Sequence, residues 1–303
     1  MELHVLGLLS NADDSIVGLK LPQNLCVERW DSTRIIHLLT SLAWQPDPDP
    51  DLRPFLTSGY HCLDESQEFG FVVVGRFSNT ENESESGVLR APAHEVLVEF
   101  TDAVNSALKV MRLFTEGAID IPAWFFYASA EGAAPVLHSA IWSPIRPDRT
   151  PYRVRSKDAL QAFLDEWPLP LEPPYVHLAF ENFIESYSVY NTKLAFLLLM
   201  IALEILFNVS QQELSYRVRR GTAVALAESR EDGKQILAAI RKLYDKRSKL
   251  VHTGEASVGA TDVLEIRDYV RRAIITVGKM KLTKDELGKR LDEAGFGDGL
   301  SAS

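Results

Sequence analysis

The sequence predicts an α+β domain followed by an all-α helical bundle, and three observations carry that expectation. Short apolar runs with strand character recur through residues 1–150. A proline-rich stretch then spans 143–175, with Pro144, Pro147, Pro151, Pro168, Pro170, Pro173 and Pro174. Beyond Pro174 every apolar pattern has helical spacing. Proline removes a backbone donor and restricts the residue before it, so such a cluster marks a junction rather than an element. The boundary is placed near 170, giving an α+β domain at 1–170, a helical domain at 171–295 and a disordered tail at 296–303.

Taken in order, residues 3–9 and 24–30 read as strands, and Asp31, Ser32 and Thr33 open a helix that runs to Trp44. From Gln45 to Asp51 proline alternates with aspartate, which spaces the carboxylates away from one centre and reads as a solvated turn. Residues 68–78, centred on Phe71 to Gly75, give the strongest strand signal of this half, and 79–86 is an acidic polar loop. In 93–116, Val96, Phe100, Val104, Leu108, Met111 and Phe114 fall on one helical stripe. Two more strands follow at 119–129 and 136–142. The first carries Trp124, Phe125, Phe126 and Tyr127, which read as core rather than as a base-stacking platform. A short helix at 156–167 sits between the proline breaks.

The second half divides into helices at 175–189, 191–208, 211–228, 232–252, 260–281 and 284–294. Ser210 or Gln211 opens the third of these, Asp232 the fourth and Thr261 the fifth. Gly254, just past His252, is placed to end the fourth. Consecutive helices without strands bury their apolar stripes against one another, as a bundle.

Composition narrows the function classes. The chain has 303 residues and a net charge of −10, which argues against a general nucleic-acid coat. The charge is unevenly spread: residues 1–175 carry net −12, 176–303 net +2, and 211–252 net +5. The basic excess is therefore local. Cys26 and Cys62 offer no disulfide framework, and His61, Cys62 and Asp64 have no second cluster to complete a metal site. The start has no basic n-region, and the most apolar run, 194–207, is shorter than a membrane span and contains Glu204. The expectation is a cytoplasmic protein without a membrane segment. No P-loop, dinucleotide fingerprint or nucleophile elbow is present.

The basic region surrounds one stretch, Tyr244 to His252, that ends an amphipathic helix with Arg247 and His252 five positions apart. Arginine is a fixed cation with a fork that suits phosphate, and histidine carries a proton near neutral pH. On an ideal helix five residues amount to about 140° of net rotation and about 7.5 Å of rise, so the two do not share a face. One site then needs either a distorted last turn or the same stretch from a second subunit. Two copies supply what RNA cleavage asks for: a base for the 2′-hydroxyl, an acid for the leaving 5′-oxygen and cations for the crowded phosphorane. The bland alternative is an arginine and a histidine that satisfy terminal carbonyls and face water.

Glu204 is a lone carboxylate in an apolar helix. A buried carboxylate needs a cation, so Glu204 is expected to pair with Arg247 or another arginine of the bundle, unless helix rotation brings it to the surface. Arg217, Arg219, Arg220, Lys246 and Lys249, with Arg241 and Lys242, form either a phosphate-binding surface or an ordinary solvated face. Tyr244 stacks on a base or packs in the bundle.

Residues 195–275 resemble the HEPN superfamily, in particular its Apea-like branch. The resemblance is carried by Ala202-Leu-Glu-Ile-Leu-Phe207, by Glu213-Leu-Ser-Tyr-Arg217 with Arg219-Arg-Gly-Thr-Ala223, and above all by Leu243-Tyr-Asp-Lys-Arg-Ser-Lys-Leu-Val-His-Thr-Gly254. The last contains an R-x4-H motif of the kind that marks the superfamily. The resemblance implies a helical domain that forms a homodimer, with the motifs of two copies facing each other as an endoribonuclease site that uses no metal or other cofactor. It also implies a toxin or an anti-phage (antiviral) defence effector, with RNA as substrate and an antitoxin or regulator as a further partner. Carried over, Arg247 stabilises the scissile phosphate and His252 transfers a proton. The residue after the arginine is often Asn, Asp or His in the superfamily. Here it is Ser248, which keeps a hydroxyl for the phosphate but is a weaker acid–base group. Some HEPN domains are non-catalytic RNA- or protein-binding modules, which stands as the alternative function. The resemblance does not reach residues 1–170, a domain of unknown role for which a sensor, a substrate selector and an inhibitory cover are the candidates.

Overall fold

The computed structural model describes residues 2–43, 69–76, 94–129, 134–142, 150–208, 213–254 and 257–298. The chain falls into two units that divide between Glu166 and Trp167, a few residues before the expected junction.

The first unit contains β1 (Glu2–Ser10), β2 (Lys20–Leu21), β3 (Leu25–Asp31), β4 (Phe69–Arg76), β5 (Asp120–Ser129) and β6 (Val136–Trp142). Its helices are α1 (Ser32–Ala43), α2 (His94–Phe114) and α3 (Lys157–Glu166). The strands form one sheet, ordered β2-β3-β4-β1-β5-β6, and every pairing is antiparallel. β1 lies inside the sheet, with Gly7 opposite Val73 on one side and Trp124 on the other. Alternate β1 residues serve two cores. Val5 and Leu9 join Val104, Leu108 and Met111 of α2 and Leu160 of α3, whereas Leu6 and Leu8 join Ile35, Leu39 and Leu42 of α1. A sheet buried on both faces explains why β1 is apolar without a break from Val5 to Leu9 rather than alternating.

Position 7 is glycine for a steric reason: a Cβ there would lie 2.9 Å from the Trp124 ring. Trp124 and Phe126 point into the α2 core and Phe125 into the α1 core, all three buried, so the aromatic run is packing. The buried Arg112 ties the end of α2 to β5, donating from Nε (3.0 Å) and Nη2 to the Ile119 carbonyl, with Asp120 at 3.5 Å. The two-residue strand β2 was not anticipated, being too short to show a period. The Gln45–Asp51 turn, the 79–86 loop and the His61, Cys62 and Asp64 group lie outside the described residues.

The second unit contains α4 (Pro174–Glu185), α5 (Thr192–Phe207), α6 (Leu214–Leu226), α7 (Arg230–Thr253), α8 (Ala260–Met280) and α9 (Lys284–Glu293), and no strand among its described residues. α5 packs against α4, α6 and α8, burying Phe196, Leu199, Met200, Leu203 and Phe207; α7 packs along α6. Asn191 caps α5 by accepting the N–H groups of Lys193 and Leu194 at 2.9 and 3.3 Å. At its other end, the Nζ of Lys284 donates to the carbonyls of Ile205 and Leu206 and lies 4.7 Å from the Tyr175 ring, so a cation satisfies the orphaned C-terminal acceptors.

Three details differ from expectation. α7 begins at Arg230 with Ser229 as its cap, accepting the Asp232 N–H at 3.1 Å, while Asp232 reaches back to the Glu228 N–H at 3.0 Å. α8 opens after Gly259 instead of at Thr261, because the Asp262 carboxylate takes the Gly259 N–H at 3.0 Å. Ser210 and Gln211, expected to open the third helix of this half, lie outside the described residues. The tail expected from 296 is also partly folded: Phe296 packs so closely on Gly233 of α7 that a Cβ there would come within 2.5 Å of it. Gly297, at φ +85°, turns the chain beside Ser229.

Candidate functional site at the end of α7

α7 continues as a regular helix through Arg247 and His252 to Thr253. It stops at Gly254, which takes φ +70° and donates its N–H to Leu250 at 3.1 Å. No distortion brings the two motif residues together. On a regular helix they are about 140° apart and about 7.5 Å apart along the axis.

Arg247 points to α5. Its Nη2 lies 3.3 Å from Glu204 Oε1 and donates to Oε2 at 3.5 Å, with the side chains 24% and 16% exposed. Of the two expectations for Glu204, the structure gives the pairing with Arg247. Tyr244, one turn before Arg247, is buried and donates its hydroxyl to Glu204 Oε1 at 3.1 Å; its ring centroid is 5.8 Å from the Arg247 guanidinium carbon. One carboxylate thus holds a guanidinium and a phenol, and the three side chains form a half-buried cluster.

The phenol reports that environment. Burial, then the negative charge of Glu204 and the hydrogen bond to it, push the Tyr244 hydroxyl up to about 12, against the smaller opposing pull of Arg247 and Arg219. A neutral phenol can donate to the carboxylate, whereas a phenolate beside it would be repelled. Arg219 of α6 donates its Nε to the Ser215 carbonyl at 2.9 Å.

Glu204 stands at the edge of an open face of α5. Leu194 and Ile201 are exposed, and Leu197, Leu198 and Ile205 partly so. At 100° per residue these positions and Glu204 share an arc of about 120°. Val251 of α7, 51% exposed, lies about 40° around the helix from Arg247. His252 is exposed, and among the described residues no hydrogen bond or ion pair engages it. Ser248 is half-buried between the two motif residues, and Lys249 is exposed.

Two of the other cations expected at the site are engaged locally. Lys246 is bound to Asp262 of α8 at 2.6 and 2.7 Å. The guanidinium of Arg220 donates to the carbonyls of Leu291, Asp292 (3.4 Å) and Ala294 (2.9 Å), closing the C-terminal end of α9. Arg217 reaches Asp292 only at 3.9 Å. The structure therefore gathers Glu204, Tyr244 and Arg247, and leaves His252 and Lys249 facing outward. The hydrogen bond from Tyr244 to Glu204, across 40 residues of sequence, had no sequence signal, and neither did the capping role of Lys284.

Among the described residues no helix is long and apolar enough to cross a membrane, and no group of three or more His, Cys, Asp or Glu could hold a metal ion. Compared with protein-family models, curated proteins and solved structures, the chain has no match. What its fold and site define is a class: an antiparallel-sheet unit and a helical unit, the latter with a carboxylate–phenol–guanidinium cluster on one face of α7 and an exposed histidine on another.

Proposed function

We propose that this chain is a metal-independent endoribonuclease of HEPN type, completed when two copies bring their α7 ends together. The observation that carries the reading is the division of labour on α7: Arg247 is held by Glu204 at 3.3 Å, while His252, on another face, is exposed and engaged by none of the described residues. A second copy supplies the missing geometry. The leucine–isoleucine face of α5 and Val251 are the apolar surface that such a copy would cover, and Glu204 sits at its edge.

In the proposed reaction a histidine takes the proton of the 2′-hydroxyl, the 2′-oxygen bonds to phosphorus, and the P–O5′ bond breaks. The second histidine protonates the departing 5′-oxygen, and the products carry a 2′,3′-cyclic phosphate and a 5′-hydroxyl. The Arg247 side chains stabilise the charge that builds on the phosphorane. Glu204 and Tyr244 position Arg247 rather than touch RNA. In a cell this activity fits a toxin or defence effector, restrained by an antitoxin or a regulator.

A second reading, a non-catalytic RNA- or protein-binding HEPN module, has one observation in its favour: the Arg247 guanidinium already has a carboxylate partner. Incubating a labelled RNA with wild type, Arg247→Ala and His252→Ala separates the two. Cleavage by wild type to cyclic-phosphate ends, lost in both folded variants, supports the nuclease; RNA left intact by all three supports the module.

A further inference from the structure

A concavity lies between the start of α6 and the end of α9. It is an open pocket of about 60 Å³, with Phe207 and Leu291 as apolar lining and Glu213, Tyr216, Arg217 and Asp292 as its polar groups. That volume admits the edge of a planar ring rather than a whole nucleoside. Tyr216 is 52% exposed.

The charges are incompletely matched in a way that points to a ligand. Arg220, also in the wall, is spent on the carbonyls of α9, which leaves Arg217 as the cation with donors to offer. Arg217 Nη1 stands 3.9 Å from Asp292 Oδ1, beyond hydrogen-bond range, and its buried Nε has no partner among the described residues. A guanidinium fork and a carboxylate therefore stand side by side, neither satisfied by the other. With Glu213 and Asp292 in the lining, a lone phosphate would meet as much negative charge as positive. A neutral ring that presents acceptors next to donors suits the pair better.

We propose that this pocket binds a guanine base, with the O6/N7 edge on Arg217, the N1/N2 edge on the Asp292 carboxylate and Tyr216 stacked on the ring. Guanine alone among the four bases offers two adjacent two-point edges of this polarity. Adenine presents a single donor beside a single acceptor, and the pyrimidines offer a smaller stacking face. The proposal rests on the ribonuclease reading, since it makes the pocket the place where a substrate base is chosen.

The test is direct binding of 5′-GMP, 5′-AMP, 5′-CMP and 5′-UMP to the full chain by titration calorimetry. GMP is expected to bind ~10-fold or more tightly than the others, because a two-point base contact discriminates by about that factor or more. Arg217→Lys keeps the charge but loses the fork, and should abolish the preference; Tyr216→Ala should weaken all four. Equal binding of the four nucleotides, no binding of any, or a preference that survives Arg217→Lys would overturn the proposal. Because no cleavage is read, the two ideas fail separately. Guanine preference with RNA left intact removes the nuclease and keeps the pocket, whereas RNA cleavage with equal nucleotide binding removes the pocket alone.

Discussion

Tyr244 and Arg247 meet on the same oxygen: Oε1 of Glu204 accepts the phenol at 3.1 Å and lies 3.3 Å from Nη2 of the guanidinium. One carboxylate on α5 thereby fixes two side chains on α7. The first two predictions follow from that shared acceptor.

Removing the acceptor should cost both partners. Glu204→Ala leaves a half-buried guanidinium and a buried phenol without their carboxylate, and is expected to lower unfolding stability by about 1–3 kcal/mol in urea denaturation. Tyr244→Phe removes one hydrogen bond and should cost about 1 kcal/mol. If the two losses are equal, the ion pair contributes nothing and the cluster is held by the phenol alone.

The same phenol gives a pH dependence with a definite sign. Folded Tyr244 keeps its proton up to about 12, against 10.0 for an ordinary tyrosine. The stability from this group is fully present below pH 10 and is lost as pH rises through 12. Ultraviolet titration of phenolate, taken as the difference between wild type and Tyr244→Phe, should show the missing group ionising late. In Glu204→Gln that midpoint should fall, because the repelling charge is gone while burial remains. An ordinary midpoint in wild type would contradict the geometry.

The open α5 face predicts an assembly effect distinct from folding. Ile201→Asp places a charge where a second copy is proposed to sit, yet in the lone protomer it changes an exposed position, for which about 0.5 kcal/mol or less is expected. Sedimentation velocity should show a shift from dimer to monomer, with thermal unfolding little changed and RNA cleavage lost. A wild-type chain that sediments as a monomer at all concentrations would remove this face from the account.

Gly254 isolates a backbone term. Among the described residues a Cβ there would meet nothing within 4 Å, so Gly254→Ala carries the cost of holding alanine at φ +70°. That cost is about 1 kcal/mol, readable by chemical denaturation. A much larger loss would mean that the end of α7 is tied down by more than its cap.

Much of this fold was legible in the chain because it depends on near neighbours. The β1 run and the 93–116 stripe each encode an element through local period, and the proline cluster encodes a junction through local restriction. The helix ends were less legible, since a cap depends on which of several polar residues wins: Ser229 rather than Asp232, and Gly259 rather than Thr261. The strand β2 carried no period at all, and Phe296 looked like tail until Gly233 gave it a place to pack.

For the site, the sequence by itself determined the helix that ends in Arg247 and His252, the glycine that stops it and the lone carboxylate in an apolar segment. It also set the two motif residues on different faces, because five positions on a regular helix cannot be otherwise. Only the tertiary structure decided that Glu204 meets Arg247 and Tyr244, that Lys246 is spent on Asp262 and Arg220 on the end of α9, and that Arg217 is left beside a pocket. Periodicity assigns a residue to a face; which charges then meet depends on how the helices pack, and that is fixed by apolar contacts distant in sequence.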